Sequence, residues 1–253
     1  MTQAKDIETG MVLAAGLGTR MRPITDNLPK PLVSVAGQTL LDRALDALAK
    51  GGIQQALVNV HYLADQIEKH LHGRTMPAVS VSDERRELLD SGGGVKKAIA
   101  GMTDSPMVIL NGDSFWVDGG GSTIRQMKSV WNPDEMDMLL LVATLDQATG
   151  YDGAGDFFLD NENRLKRRGD ASQAPYIYAG AIITGTSNIN SVPDSKFSLN
   201  RLFDAAIQRN RLYGCLLDGL WLHVGTPASI DEAEQAIERH AAQQGSGSNL
   251  TDR

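Results

Sequence analysis

The chain has 253 residues, of which 42% are hydrophobic and 22% are charged, and its formal net charge at pH 7 is −7. This acidic balance argues against a general nucleic-acid binder, whose phosphate contacts need a basic surface. The one cysteine, Cys215, excludes a disulfide within the chain, and no apolar run approaches the length of a membrane span. We therefore expect a cytoplasmic globular protein without membrane or nucleic-acid partners, and the sequence predicts no oligomeric state.

The first half of the chain alternates short apolar runs with amphipathic stretches. The apolar runs, which predict buried strands, are residues 11–15, 56–60, 78–82 and 107–111. Helical spacing of apolar residues predicts helices over 41–48 and 63–71, the first ending at Gly51. This order predicts an α/β fold with a Rossmann-like, mixed but mostly parallel sheet flanked by helices. Ligands bind at the carboxyl ends of the strands in such folds.

The second half of the chain is less regular. Its predicted elements are a strand over 137–145, a strand–turn–strand unit over 155–168, a strand over 175–185, a helix over 198–209 opened by Ser198, and a terminal helix over 227–244. Residues 245–253 are small and polar, and we expect this tail to be disordered. No repeat and no linker divides the rest, so we expect one domain over residues 1–244.

The first predicted strand runs into the stretch LAAGLGTR, which contains two glycines. Backbone N–H groups of such a loop are suited to hold phosphate or nucleobase oxygens. A dinucleotide fingerprint, G-x-G-x-x-G, requires a third glycine where this chain has Met21, and no P-loop pattern is present. Taken alone, the loop is also compatible with a plain turn between a strand and a helix.

Cations follow the glycine loop. Arg20 and Arg22 come directly after it, and Lys30 lies between Pro29 and Pro31. A surface lysine is usually a solvated charge, but two prolines restrict the backbone around this one. Chemistry at a triphosphate requires several cations, because negative charge is spread over many phosphate oxygens. The combination therefore favours a phosphate site.

The complete stretch LAAGLGTRMRPITDNLPKPL resembles the signature of the sugar-1-phosphate nucleotidylyltransferases, L-A-A-G-x-G-T-R-[LM]-x-P-x-T…P-K-P-[LM]. These enzymes join a nucleoside triphosphate to a sugar-1-phosphate and release pyrophosphate. The resemblance implies that Arg20 faces the triphosphate and that Lys30 contacts a reacting phosphate, both as catalytic residues. The nucleotide-binding residues that it implies here are Leu13, Ala14, Ala15, Gly16, Gly18, Thr19 and Arg20.

Two further stretches resemble the family in the expected order. LLDSGGGVKKAI resembles the second nucleotide-binding loop, which implies that Gly92 and Gly93 contact the nucleotide; a helix start capped by Ser91 is the alternative. VILNGDSF ends a predicted strand, and the resemblance implies that Asn111 binds the nucleotide and that Asp113 is a catalytic Mg²⁺ ligand. An aspartate that merely forms a turn is the alternative for Asp113.

The closing motif departs from the family. GLWLHVGTP resembles W-x-D-x-G-T-P, but His223 stands where the family has a second metal-binding aspartate. Mg²⁺ prefers oxygen ligands, whereas imidazole suits softer metals. Three explanations stay open: Asp113 and substrate phosphates hold the metal, His223 joins the metal or phosphate site, or catalysis is weakened and the protein is a nucleotide-binding regulator.

The substrates follow from weaker signals. The loop LLDSGGG is more similar to the E-T-G-G-G loop of N-acetylmuramate-1-phosphate uridylyltransferases, which act in peptidoglycan recycling. It is less similar to the L-G-T-A-G loop of many glucose-1-phosphate thymidylyltransferases and mannose-1-phosphate guanylyltransferases. This favours UTP and an N-acetylmuramate-1-phosphate-like sugar, with mannose-1-phosphate guanylyltransferase as the alternative. The resemblance places the sugar pocket in the second half, where Asp156, Tyr178 and Gly180 are candidates, although packing and turn roles are equally open for them.

The resemblance also divides the expected domain into functional parts. It covers residues 11–244 and implies a nucleotide half over about 11–115, a sugar half over about 116–226 and a C-terminal helix over 227–244. A Rossmann-type oxidoreductase is disfavoured, because Met21 occupies the third glycine position.

Overall fold

The computed structural model of the chain describes residues 7–247 and has the α/β architecture that the sequence predicts. Its strands are β1 (Thr9–Leu13), β2 (Ser34–Val35), β3 (Gln38–Thr39), β4 (Gln55–Val60), β5 (Ala78–Asp83), β6 (Pro106–Asn111), β7 (Ser114–Asp118), β8 (Met138–Thr144), β9 (Ala148–Thr149), β10 (Phe157–Leu159), β11 (Leu165–Arg167), β12 (Tyr176–Gly185), β13 (Leu212–Leu216) and β14 (Gly219–His223). Its helices are α1 (Leu40–Lys50), α2 (Ala64–Leu71), α3 (Asp90–Ala98), α4 (Thr123–Val130), α5 (Thr186–Asn190), α6 (Asn200–Gln208) and α7 (Ala228–Gly247).

The central sheet is mixed and contains strands from both halves of the chain. β6, β1, β4 and β5 are parallel neighbours in that order, whereas β12 is antiparallel to β6 and to β8. Leu13 at the end of β1 is in register with Asn59 of β4 and Asn111 of β6. Three strands therefore end level with one another, and the loops that follow them share one edge of the sheet.

Apolar side chains cover both faces of this sheet. Successive residues of β1 point to opposite sides, so Val12 packs in one core cluster with Leu45 of α1, whereas Met11 packs in the other with Val95 of α3. Both faces are buried at the centre of the sheet, where β6, β8 and β12 consist mainly of apolar residues, whereas the edge strand β5 has no buried residue. Among residues 7–247, no helix combines the length and apolar character needed to cross a membrane.

A small second sheet brings the closing motif to the same edge. β14 pairs with β7, which places His223 opposite Ser114, and the backbone N–H of Val224 donates to the carbonyl of Asp113 at 3.0 Å. β9 completes this sheet on the other side of β14. Two motifs that are more than 100 residues apart in the sequence thus become neighbours.

Several predicted boundaries are wrong. The first strand ends at Leu13 rather than at residue 15, because the Ala14 N–H leaves the sheet and donates to the side chain of Asn59. The helix predicted to open at Ser198 begins at Asn200, and α7 continues to Gly247 rather than ending at 244. Residues 245–247 of the expected disordered tail are therefore helical, and residues 248–253 lie outside the described residues. The sequence did not predict α4, β13 or the pairing of β7 with β14.

Candidate active site

A cavity of about 570 Å³ opens at the carboxyl ends of β1, β4 and β6. This volume is in the range of small-molecule sites, and the edge of the sheet is where α/β folds bind ligands. The predicted residues that line it are Leu13, Ala14, Ala15, Gly16, Gly18, Thr19, Arg20, Lys30, Asn111 and Asp113. Leu88, Asp90 and Ser91, from the stretch that resembles the second nucleotide-binding loop, line the cavity as well, and so does Lys196, which the sequence did not single out.

Gly18 shapes the first loop around the lysine. Its φ of +63° lies in the left-handed region, and a Cβ there would come within 3.0 Å of the Lys30 Cβ and 3.1 Å of the Thr25 Cγ2. The Thr25 hydroxyl donates to the Gly18 carbonyl at 2.8 Å. By contrast, a Cβ at Gly16 would meet no atom within 4 Å, so Gly16 faces open space.

Lys30 and Asp113 form an ion pair in the cavity wall. The Lys30 Nζ lies 3.1 Å from the Asp113 Oδ2, and the lysine side chain is 11% exposed. Pro29 precedes the lysine and Pro31 follows it in a short 3₁₀ turn, so the proline pair fixes the lysine backbone as the sequence predicted. Burial of a lysine costs free energy unless it meets an anion, which Asp113 supplies here and a phosphate would supply equally.

The Asp113 carboxyl group is ionised. Burial, the largest influence, raises its pKa, but Lys30, His223 and Arg20 together lower the pKa below its ordinary value. The adjacent Gly112 has no room for a side chain, because a Cβ there would lie 2.3 Å from the Leu13 carbonyl oxygen. Close contact between this glycine and the end of β1 therefore fixes Asp113 relative to the first loop.

The second glycine stretch does not present Gly92 and Gly93 to the cavity as the sequence predicted. Gly92 and Gly93 lie within α3 and are buried, and their N–H groups donate to the Phe197 carbonyl at 2.8 and 3.0 Å. A Cβ on either residue would clash with the segment 195–197. These amides are consequently engaged within the protein, and the preceding residues line the cavity instead. Ser91 does not cap the helix; its hydroxyl accepts from the Leu199 N–H at 3.0 Å.

His223 faces the cations of the first loop. Its ring stacks on Trp221 at a centroid distance of 6.0 Å, and a Cβ on Gly225 would lie 2.7 Å from its Nε2 and 3.4 Å from the Arg20 Nη1. Burial lowers the pKa of His223 most strongly, Asp113 raises it, and Lys30 and Arg20 lower it, leaving it below its ordinary value. The imidazole is therefore neutral at pH 7 and offers an unprotonated nitrogen.

The predicted sugar residues lie beside this cluster but do not line the cavity of the described chain. The Asp156 Oδ2 accepts from the Tyr178 N–H at 2.9 Å, so one carboxylate oxygen has a structural role. Gly180 has a φ of +86°, and a Cβ there would lie 2.4 Å from the Ser114 Oγ. Within residues 7–247, the buried hydroxyls of Tyr178 and Ser114 have no hydrogen-bond partner. Burial, and next the charge of Asp113, raise the pKa of Tyr178.

Comparison with known proteins places this site in a family. Residues 9–151 match the family model for nucleotidyl transferases. The chain is 39% identical over 241 residues to the N-acetylmuramate alpha-1-phosphate uridylyltransferase of Caulobacter vibrioides, and the match covers 94% of this chain and 99% of that protein. The chain belongs to the nucleotidyl transferase family.

Other proteins resemble this transferase more weakly. Over 225 residues it is 26% identical to the mannose-1-phosphate guanylyltransferase catalytic subunit beta of Drosophila pseudoobscura pseudoobscura, with 86% of this chain and 59% of that protein covered. The crystal structure of HddC from Yersinia pseudotuberculosis complexed with GMP-PN has the same fold, with a TM-score of 0.72 and 22% identity over 91% of this chain and all of that one. The predicted family and fold are thereby confirmed.

The transferase offers few protein ligands for a metal ion. Within residues 7–247, no three His, Cys, Asp or Glu side chains cluster in a way that would hold one. Asp113 lines the cavity and supplies a hard carboxylate oxygen, whereas the neutral imidazole of His223 does not line it but is near enough to interact with the charge of Asp113. This donor set fits a magnesium ion that takes most of its ligands from phosphates and water, which is common for Mg²⁺.

Proposed function

We propose that this transferase condenses UTP with an N-acetylmuramate-1-phosphate-like sugar to give the UDP-sugar and pyrophosphate, in the cytoplasm and as a step of peptidoglycan recycling. The observation that carries the proposal is the convergence of the glycine loop, Lys30 and Asp113 on one cavity. The choice of base and sugar is supported by the 39% identity to a uridylyltransferase over nearly its whole length.

The proposed reaction is a displacement at the α-phosphorus. A phosphate oxygen of the sugar-1-phosphate forms the new bond to that phosphorus, and the bond to the bridging oxygen of pyrophosphate breaks. Both reactants are anions, so the protein must hold them in line and reduce their repulsion. Two unit charges about 4 Å apart interact by roughly 4 kcal/mol at an effective dielectric constant near 20. Lys30 and Arg20 supply positive charge for this purpose.

The proposed metal ion is Mg²⁺, held by Asp113 together with phosphate oxygens. When bound, it would neutralise charge on the triphosphate and favour release of pyrophosphate. His223 has two remaining roles in this proposal. Its neutral imidazole either completes the metal site or accepts a hydrogen bond near the phosphates.

The other site residues take roles that follow from their positions. We propose that the exposed residues Gly16 and Thr19 meet the triphosphate, that Asn111 contacts the nucleotide, and that Leu13 to Ala15 form the wall of the base pocket. Leu88, Asp90 and Ser91 form the opposite wall in place of Gly92 and Gly93. For the sugar, the unpartnered hydroxyl of Tyr178 is the strongest candidate, with Asp156 and Gly180 shaping its surroundings.

A substrate matrix tests the proposal. Pyrophosphate release is measured with UTP, GTP, dTTP and CTP, each against glucose-, mannose- and N-acetylmuramate-1-phosphate. We expect the highest kcat/KM with UTP and N-acetylmuramate-1-phosphate. The mannose-1-phosphate guanylyltransferase alternative, favoured by the 26% identity to that enzyme's catalytic subunit, requires GTP and mannose-1-phosphate to be best. Nucleotide binding without release from any pair would instead indicate a regulatory nucleotide-binding protein.

A further inference from the structure

A buried amide in the cavity wall, Asn59, and a buried carboxylate behind it, Glu84, have no part in the proposed chemistry. Glu84 is 0% exposed and Asn59 is 3% exposed. Within residues 7–247, Glu84 forms no ion pair, and its carboxylate accepts from two neutral donors, the Asn59 side chain and the Leu89 N–H. Burying a polar group costs free energy unless it is hydrogen-bonded, so these two bonds hold the Glu84 carboxylate in place.

Three hydrogen bonds connect the two walls of the cavity through this pair. The Ala14 N–H donates to the Asn59 Oδ1 at 2.8 Å, and the Asn59 Nδ2 donates to the Glu84 Oε1 at 2.7 Å. The Leu89 N–H then donates to the Glu84 Oε2 at 3.1 Å. Ala14 belongs to the first loop, and Leu89 precedes the cavity residues Asp90 and Ser91. We call this connection the Asn59–Glu84 bridge.

The bridge is held rigidly on its outer side. The backbone of Glu84 donates to the Val60 carbonyl at 2.7 Å, and its carbonyl lies 2.7 Å from the Nδ1 of His61. On the inner side, a Cβ at Gly94 would lie 2.7 Å from the Glu84 Oε1 and 2.8 Å from the Asn59 Nδ2. The pair therefore fills the space between the end of β4 and helix α3 with little freedom to move.

We propose that Asn59 and Glu84 are positioning residues that set the spacing between the two walls of the base pocket. The Asn59 Oδ1 occupies the Ala14 N–H, which fixes the peptide plane at the end of β1 before a nucleotide arrives. Glu84 fixes the Leu89 N–H at the start of α3, directly before Asp90 and Ser91. The bridge thus acts on nucleotide binding and leaves the sugar-1-phosphate site unaffected. This inference rests on the proposed function in one respect only, which is that the ligand is a nucleotide.

Two isosteric substitutions test the bridge. Asn59→Asp places two carboxylates face to face, and Glu84→Gln places an NH₂ group against either the Asn59 NH₂ group or the Leu89 N–H. Combining them restores all three bonds, with donor and acceptor exchanged only in the bond between the two side chains. The new amide at position 84 then donates to the new carboxylate at position 59 and accepts from Leu89, while that carboxylate also accepts from Ala14. The double variant keeps the net charge of the wild type. Glu87→Gln, on an exposed neighbouring residue, is the matched control.

Nucleotide affinity is measured directly by titration calorimetry with UTP, GTP, dTTP and CTP in the absence of sugar, and variants are compared with the tightest binder. We expect each single variant to weaken binding about 10- to 100-fold, as for loss of a hydrogen bond to a charged group. The KM for the sugar-1-phosphate should change by less than about threefold at saturating nucleotide. The double variant should recover to within about threefold of the wild type, and Glu87→Gln should bind like the wild type.

Two results would overturn the bridge as a positioning device. One is unchanged nucleotide affinity in both folded single variants. The other is a loss of affinity that marks a purely structural role, either because the double variant does not recover it or because it affects both substrates equally in step with a lower melting temperature. The binding assay contains no sugar, so failure of the substrate proposal in the pyrophosphate matrix leaves this test intact.

Discussion

The half of the chain expected to bind the nucleotide and the half expected to bind the sugar present their candidate residues in different ways. In the nucleotide half, nearly all of the predicted residues line one cavity, because parallel strands of equal register end side by side. In the sugar half, the Asp156 carboxylate accepts from the Tyr178 N–H, and Gly180 packs closely against Ser114. The predicted residues there contact other parts of the protein rather than line the cavity. The cavity of the first half is thus formed before a ligand arrives, whereas we propose that sugar recognition depends on a few unsatisfied groups.

The largest expected effect is loss of Lys30. Because this lysine is buried against Asp113 and faces the phosphates in our proposal, Lys30→Ala should lower kcat by about 10²- to 10³-fold. Pyrophosphate release measures the effect, and circular dichroism confirms that the variant folds. Lys69→Ala, on an exposed residue of α2, serves as control and should retain wild-type turnover. Near-normal turnover of folded Lys30→Ala would remove this residue from the site.

Arg20 and Arg22 offer a comparison within one loop. Arg20 lines the cavity, whereas the Arg22 side chain is 62% exposed and pairs with Asp26 at 3.3 Å. Arg20→Ala should reduce kcat/KM for the triphosphate by about 10- to 100-fold, as expected for a charge-assisted contact. Arg22→Ala should have almost no effect, because exposed ion pairs contribute little. Equal losses of kcat/KM in both variants would show that the reaction depends on the total positive charge of the loop rather than on the position of Arg20.

His223 tests how the cavity holds a metal ion. A carboxylate at this position adds a hard oxygen ligand and a negative charge beside Asp113. His223→Asp should therefore lower, by several-fold, the Mg²⁺ concentration needed for half-maximal activity, whereas His72→Asp on the exposed surface should not. A magnesium titration of pyrophosphate release provides the measurement. An unchanged titration would place His223 outside the metal site and leave the role of hydrogen-bond acceptor.

Two glycines separate folding from binding in the nucleotide half. A Cβ at Gly112 would lie 2.3 Å from the Leu13 carbonyl oxygen, whereas one at Gly16 meets open space. Gly112→Ala should therefore lower the free energy of unfolding by about 1–3 kcal/mol, the usual cost of overpacking. Gly16→Ala should fold normally and should raise the KM for the triphosphate. Chemical denaturation and substrate titration measure the two effects, and equal stability of both variants would contradict the packing described at Gly112.

The smallest expected effect belongs to the sugar half. The buried Tyr178 hydroxyl has no hydrogen-bond partner in the part of the chain that the structure describes, so Tyr178→Phe should leave the free energy of unfolding unchanged or raise it by up to about 1 kcal/mol. If this hydroxyl binds the sugar, the KM for sugar-1-phosphate should rise several-fold. Tyr62→Phe is the contrasting control, because it removes a bond from the Tyr62 hydroxyl to the Thr25 carbonyl at 2.8 Å and should lower stability. An unchanged KM would exclude Tyr178 from the sugar site.

These contrasts also show what the sequence was able to predict. The glycine loop, Lys30 and Asp113 were predictable because local backbone requirements leave a pattern of glycines, prolines and charges. The prediction placed Gly92 and Gly93 against the nucleotide, but they pack against the backbone of another segment. Glycines that allow a close backbone contact and glycines that contact a ligand have the same spacing in the sequence. Asn59 and Glu84 gave no signal, because their pairing depends on the register of β4 and on a contact with α3. The single domain over 1–244 stays a prediction that limited proteolysis tests.

The most direct test of the central claim is the balance between nucleotide consumed and pyrophosphate released. The wild-type protein is incubated with Mg²⁺, UTP and N-acetylmuramate-1-phosphate, and then with each substrate omitted. We expect one pyrophosphate and one UDP-sugar for each UTP consumed, with release dependent on both substrates. No release from this pair or from any other pair in the matrix, by a folded protein that binds nucleotide, would contradict the assignment of the cavity to nucleotidyl transfer.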